Sequence, residues 1–115
     1  MNLPVRPMPR PTAQVQPYVD AMATEKAVEF ILHLGGAELW IPKTLRGKTE
    51  FEALIGPEAA QALAERSERL QKRVPLAKAW LVAMMDWQRI PASRIARRLR
   101  ISDNSVRRML KARKA

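Results

Sequence analysis

Apolar residues recur along this chain at two spacings, and the change from one to the other marks out its elements. From Pro17, the positions Tyr18, Val19, Met22, Ala27, Phe30, Ile31 and Leu34 return near every 3.6 residues, which predicts a helix with one face in a core. Thr24 offers a cap for a second start inside it, and Gly35-Gly36 supplies the stop, because glycine readily takes the left-handed conformation that ends a helix. The next apolar stretch, "ELWIP", is too short for a helix and closes on Pro42, which has no amide hydrogen to give a neighbour. It predicts a strand at a sheet edge. After a loop read over "KTLRGKTE", a second helix is expected from Pro57 to about Leu70, burying Ala59 or Ala60, Leu63, Ala64 and Leu70. "KRVPL", Lys72 to Leu76, is again short and apolar with a proline, and predicts a second strand, here without a Gly-Gly before it.

The segment from Ala23 aligns without a gap on the segment from Gly56. This places Glu25 on Glu58, Ala27 on Ala60, Phe30 on Leu63, Ile41 on Val74 and Pro42 on Pro75. Helix, strand and proline then occur twice, with chance as the competing explanation for so few identities. A further helix is read from Leu76 to about Gln88, where Leu76, Trp80, Met84 and Trp87 form an apolar stripe that Ala77, Leu81, Ala83 and Met85 widen. The helical spacing of the two tryptophans makes them packing residues.

Pro91 stands where another helix would begin, with Ile95, Ala96 and Leu99 on one face. Ile101 follows, and Ser102 is placed to cap a last helix whose inward face is Val106, Met109 and Leu110. Two short helices that cross touch at one point and need a small residue there, which Ala96 supplies. With the preceding helix as a floor, the three predict a trihelical helix-turn-helix. The tight turn of such motifs often uses glycine, whereas Arg100 stands here.

Charge sharpens this reading. The chain of 115 residues has a net charge of +10, and ten basic residues lie from Arg89 to the end, where Asp103 is the sole acid. A solvated face normally mixes both signs, so this asymmetry points to a polyanion, of which duplex DNA is the usual one. The outward residues of the last helix, Asp103, Asn104, Arg107, Arg108 and Lys111, are the candidates for reading base edges. Arginine can bind guanine bidentately and asparagine adenine. Arg94, Arg97, Arg98, Arg100, Ser102, Arg113 and Lys114 are the candidates for phosphate contacts, which set position and affinity without reading sequence.

Other chemistry is not indicated. There is no cysteine, so disulfides and thiolate metal sites are excluded and a reducing compartment is expected. His33 is the single histidine, and Ser67, Ser93, Ser102 and Ser105 have no histidine in sequence context to activate them. No metal site, no cofactor and no catalytic activity are expected, and Gly35-Gly36 is too short for a phosphate loop. "MNLPVRPMPRP" leads into prolines rather than an apolar core, and no apolar run could span a bilayer, so the expectation is a cytoplasmic protein without a membrane partner. Residues 1–16, with four prolines, are read as a flexible basic arm, followed by a dimerisation domain over 17–75 and a DNA-binding domain over 76–115.

"LGGAELWIPK" followed by a basic C-terminal helix-turn-helix resembles the Mor transcription activator family, the middle-operon regulators of Mu-like phages and prophages. The match runs from about Ala23 to Leu110. Its most specific part is Gly35, Gly36, Trp40, Ile41 and Pro42, with tryptophan where tyrosine is the commoner aromatic. The resemblance implies an intertwined homodimer with a shared N-terminal dimerisation domain, two C-terminal domains in successive major grooves, and cooperation with the host RNA polymerase. The dimerisation residues would be Phe30, Ile31, Leu34, Gly35, Gly36, Leu39, Trp40, Ile41 and Pro42. The fold expected is mainly α with one or two short β-strands. Two further readings stay open: a structural DNA-binding component such as a DNA-packaging subunit, and an interaction module whose basic tail binds RNA or an acidic partner. The absence of aromatics among the arginines argues against single-stranded RNA.

Overall fold

The computed structural model describes residues 7–39, 41, 42 and 50–114, with the side chain of residue 114 left out. The chain is mainly helical and divides into two compact units: residues 11–77, and residues 78–114 together with 7–10.

In the first unit a turn over residues 12–15 feeds helix α1, Gln16–Leu34, with the Val15 and Gln16 amides both donating to the Thr12 carbonyl at 3.0 and 2.9 Å. Within the stretch expected to be a flexible arm, Pro9 and Val15 are buried, while residues 7, 8, 10 and 12–14 are exposed. Prolines already restrict this stretch, which lowers the entropy lost on fixing it. Helix α1 is broken at Ala23 (φ 68, ψ 168). The sequence places the second start at Thr24, but the cap is the last non-helical residue. That position falls to Ala23, which has no side-chain oxygen.

Helix α2, Glu50–Ile55, was not expected, and helix α3, Pro57–Glu65, ends earlier than the predicted Leu70, giving way to a 3-10 turn over Ser67–Arg69. Gly56, at φ 90, separates α2 from α3, while the Lys26 ammonium donates to the Ile55 carbonyl at 3.0 Å and satisfies the end of α2. The three helices pack on one another around Tyr18, Phe30, Phe51 and Leu63. Phe30 lies 5.4 Å from the Tyr18 ring and 6.5 Å edge-on from Phe51, geometries in which aromatic quadrupoles attract. Burial holds the Tyr18 phenol protonated and pushes its pKa up to about 12.

The two segments expected as strands do pair with each other, but as one isolated antiparallel bridge, Glu38 with Arg73, and the described residues contain no strand. Gly36 donates to the Val74 carbonyl at 2.7 Å, Val74 to Ala37 at 2.9 Å and Leu39 to Lys72 at 3.3 Å. Pro42 and Pro75 have no amide hydrogen with which to extend the ladder. The glycine pair makes this approach feasible: a Cβ on Gly35 would stand 2.7 Å from the Ile31 carbonyl oxygen and 3.2 Å from that of Pro75, and Gly36 has φ +86. The aligned residues of the two half-repeats share an environment in the helices, since Ala27, Ala60, Phe30 and Leu63 are all fully buried. Of the loop predicted over residues 43–50, Glu50 begins α2, and residues 43–49, like Trp40, lie outside the described residues.

Because Val74 pairs with Ala37 and Leu76 lies beside Gly36, this unit extends to Ala77 rather than ending at Pro75. Leu76, expected in the next helix, is 55% exposed, and the left-handed Ala77 (φ 47) precedes the helix start.

The second unit consists of α4, Lys78–Trp87, α5, Ala92–Leu99, and α6, Asp103–Lys114, each packed on the other two. Trp80 to Met85 are buried without interruption in α4, and Ile95, Ala96 and Val106 are the buried residues of α5 and α6. Ala96 is the small residue the packing of two short helices requires. Leu99, Ile101, Met109 and Leu110 are half-buried around it. Trp80 Nε1 is buried with no hydrogen-bond partner among the described residues.

Candidate nucleic-acid interface

Helix α5 begins after Pro91, whose extended backbone (φ -61, ψ 148) suits the residue before a helix and whose carbonyl accepts from the Arg94 and Ile95 amides. It carries Arg94, Arg97 and Arg98 at i, i+3 and i+4, so the three guanidinium groups share one face, and all three residues are exposed. With Ile90 they line a shallow recess of about 300 Å³.

The helix ends at Arg100, which takes the left-handed conformation (φ 58, ψ 42), while the amides of Arg100 and Ile101 both reach the Ala96 carbonyl. This is the position where the sequence pattern asks for glycine. The turn keeps the left-handed geometry and strains the arginine instead.

Helix α6 is capped as the sequence indicates: the Ser105 amide donates to Ser102 Oγ at 3.0 Å, and the Ser102 hydroxyl lies 3.0 Å from Ser105 Oγ. Asp103 in the first turn adds a favourable charge at the positive end of the helix. Val106 is fully buried, which fixes the helix rotation and turns Asn104, Arg107, Arg108 and Lys111 outward as one exposed stripe. Of the candidate base-reading residues, Asp103 stands apart. Its Oδ2 lies 3.8 Å from Arg107 Nη2, an i, i+4 pair in which both side chains keep about half or more of their surface exposed. Sequence reasoning placed the two side by side as readers and missed that one holds the other. The i, i+4 spacing was the available signal.

Among the candidate phosphate residues, Arg94, Arg97, Arg98, Arg100, Ser102 and Arg113 are all exposed, and Lys114 belongs to α6 with its side chain outside the description. Together α5, the turn and α6 bring eight exposed basic side chains (Arg94, Arg97, Arg98, Arg100, Arg107, Arg108, Lys111 and Arg113) around one acid. The arrangement suits a ligand with a dense, regular negative charge.

The chain matches no protein-family model, no curated protein and no solved structure.

Among the described residues, those expected at a dimer interface are not brought together as one surface. Phe30 and Ile31 have essentially no exposure and point into the unit's own core, where Phe30 meets Tyr18 and Phe51. As dimerisation residues these two would be covered by a second chain, whereas here the chain covers them itself. Helix α2, which brings in Phe51 and Ile55, supplies the missing cover. Gly35 and Gly36 serve the contact with residues 74–76 of the same chain. Leu34, Leu39, Ile41 and Pro42 remain half-buried, and Leu39, Ile41, Pro42 and Leu70 line an open groove of about 530 Å³. Among the described residues no cluster of three or more His, Cys, Asp or Glu is placed to hold a metal ion. No described helix is long and apolar enough to cross a membrane.

Proposed function

We propose that this chain is a sequence-specific, double-stranded-DNA-binding transcription regulator whose residues 78–114 act as a helix-turn-helix. The observation that carries this reading is the eight exposed basic side chains on two helices joined by a tight left-handed turn. A helix presented this way, with Val106 anchoring one side and Asn104, Arg107, Arg108 and Lys111 on the other, has the size and donor chemistry to enter a major groove. Arg94, Arg97, Arg98, Arg100 and Arg113 are then the phosphate contacts that fix its register.

The resemblance of "LGGAELWIPK" and the basic C-terminus to the Mor family supports a phage or prophage type of activator that works as a homodimer with the host RNA polymerase. The half-buried Leu39, Ile41 and Pro42 are the surface available for such a dimer, because Phe30 and Ile31 are already enclosed. Footprinting on the DNA flanking its own gene is the direct test. A protected site with two half-sites spaced by about one helical turn is expected, and uniform protection without a preferred site would contradict sequence-specific binding. Sedimentation at low micromolar concentration tests the assembly, with a dimer expected and a folded monomer counting against it.

A further inference from the structure

Among the described residues, four that are not glycine have positive φ: Ala23, Ala77, Arg89 and Arg100. The two arginines stand at equivalent places. Arg89 (φ 65) follows the end of α4, with its amide donating to the Asp86 carbonyl at 2.8 Å and the Ile90 amide reaching back to Met85 at 3.0 Å. Arg100 directly follows α5; its own amide bonds the Ala96 carbonyl, and the Ile101 amide reaches back five residues to the same carbonyl, as Ile90 does to Met85. Both are the left-handed residue of a helix C-terminal motif, a position that glycine fills without strain and that an L-side chain fills at a cost of about 1 kcal/mol.

Neither arginine recovers this cost by burial, since both side chains are exposed. The two also bracket, in sequence, the stretch from Ile90 to Arg98 that lines the α5 recess. Backbone strain kept at an exposed charged residue, beside a concavity lined by three more of the same charge, is the pattern of a binding residue.

We propose that Arg89, together with Arg100, binds the DNA backbone: the pair clamps one phosphodiester run at the two ends of α5, and the strain at each is retained because the guanidinium is used. This rests on the DNA-binding reading above and adds Arg89 to its contacts. The competing use of a cation at a helix C-terminus is interaction with the helix dipole, which stabilises the fold without any ligand. The two uses predict different behaviour.

The test is fluorescence anisotropy of the full chain with a labelled mixed-sequence duplex over a range of salt concentrations, with thermal melting of the same samples. Arg89→Gln keeps the left-handed side chain and removes the charge, Arg89→Lys keeps the charge, and Arg89→Gly relieves the strain. Arg89→Gln and Arg89→Gly are expected to lose affinity about three- to tenfold, with a log-log salt slope shallower by about one per bound chain, while Arg89→Lys stays near wild type. Arg89→Gly is expected to melt no lower than wild type, so that its lost affinity is not unfolding. If Arg89→Gln and Arg89→Gly bind with wild-type affinity and slope while wild type itself keeps a steep slope, the clamp is wrong and the DNA reading stands. If wild-type binding is insensitive to salt, the DNA reading fails and the clamp with it.

Discussion

In residues 11–77 the surface charges come in both signs and meet one another. Arg69 lies 3.7 Å from Asp20, and Arg73 and Lys72 lie 3.3 and 3.9 Å from Glu38. From Arg89 onward the surface is of one sign, relieved only by Asp103. The first arrangement contributes little to stability, because exposed pairs are worth at most about 1 kcal/mol, and that unit rests instead on its aromatic core. The second arrangement costs stability through strain at its two left-handed arginines, about 1 kcal/mol each. The difference teaches that the two units answer to different demands. One pairs its charges within the fold, and the other carries the surface of one sign on which the proposed DNA binding rests.

The comparison breaks most visibly at Phe30. Phe30→Ala removes the ring that touches both Tyr18 and Phe51, and a loss of about 3–5 kcal/mol is expected in denaturant unfolding. A loss under about 1 kcal/mol would mean that the core of residues 11–77 is not closed as described. Gly35→Ala places a methyl group 2.7 Å from the Ile31 carbonyl and should cost about 2 kcal/mol by the same measurement.

On the basic side, Arg107→Ala should weaken binding to a preferred site by about 1–3 kcal/mol and relax the choice of one or two base pairs, whereas Arg97→Ala should weaken all sequences alike. Equal, sequence-blind losses from both would return α6 to a non-specific role. Asp103→Asn releases Arg107 from its pair and removes the one acid, so tighter, more salt-sensitive binding is expected from the same titration.

The smallest effect concerns pH. Tyr18 is the single tyrosine, so the tyrosinate absorbance reports it alone. Its folded pKa of about 12 lies above the ordinary 10.0 because burial disfavours the phenolate. The stability it contributes is therefore complete below pH 10.0 and is lost as pH rises through about 12. Ionisation at the ordinary value in folded protein would show Tyr18 to be solvated.

How far the sequence was readable follows from the same contrast. Helices α5 and α6 were legible almost residue by residue, because their apolar stripe, serine cap and charge asymmetry are all local. The core of α1 and α3 was legible for the same reason. Helix α2 was not, since Phe51 and Ile55 make only one i, i+4 pair, too little periodicity to separate a single turn from a loop. The strands were overread: "ELWIP" and "KRVPL" have strand composition, but among the described residues their pairing is a single bridge. The enclosure of Phe30 and Ile31 was hidden because it depends on α2, an element the pattern does not announce.

The central claim, that residues from Arg89 onward meet the DNA backbone, is tested most directly by the salt dependence of DNA binding by the intact chain. Titration of a labelled duplex is expected to give a log-log slope of about −5 or steeper for a dimer, reflecting several neutralised phosphates per chain. A flat slope would contradict the claim.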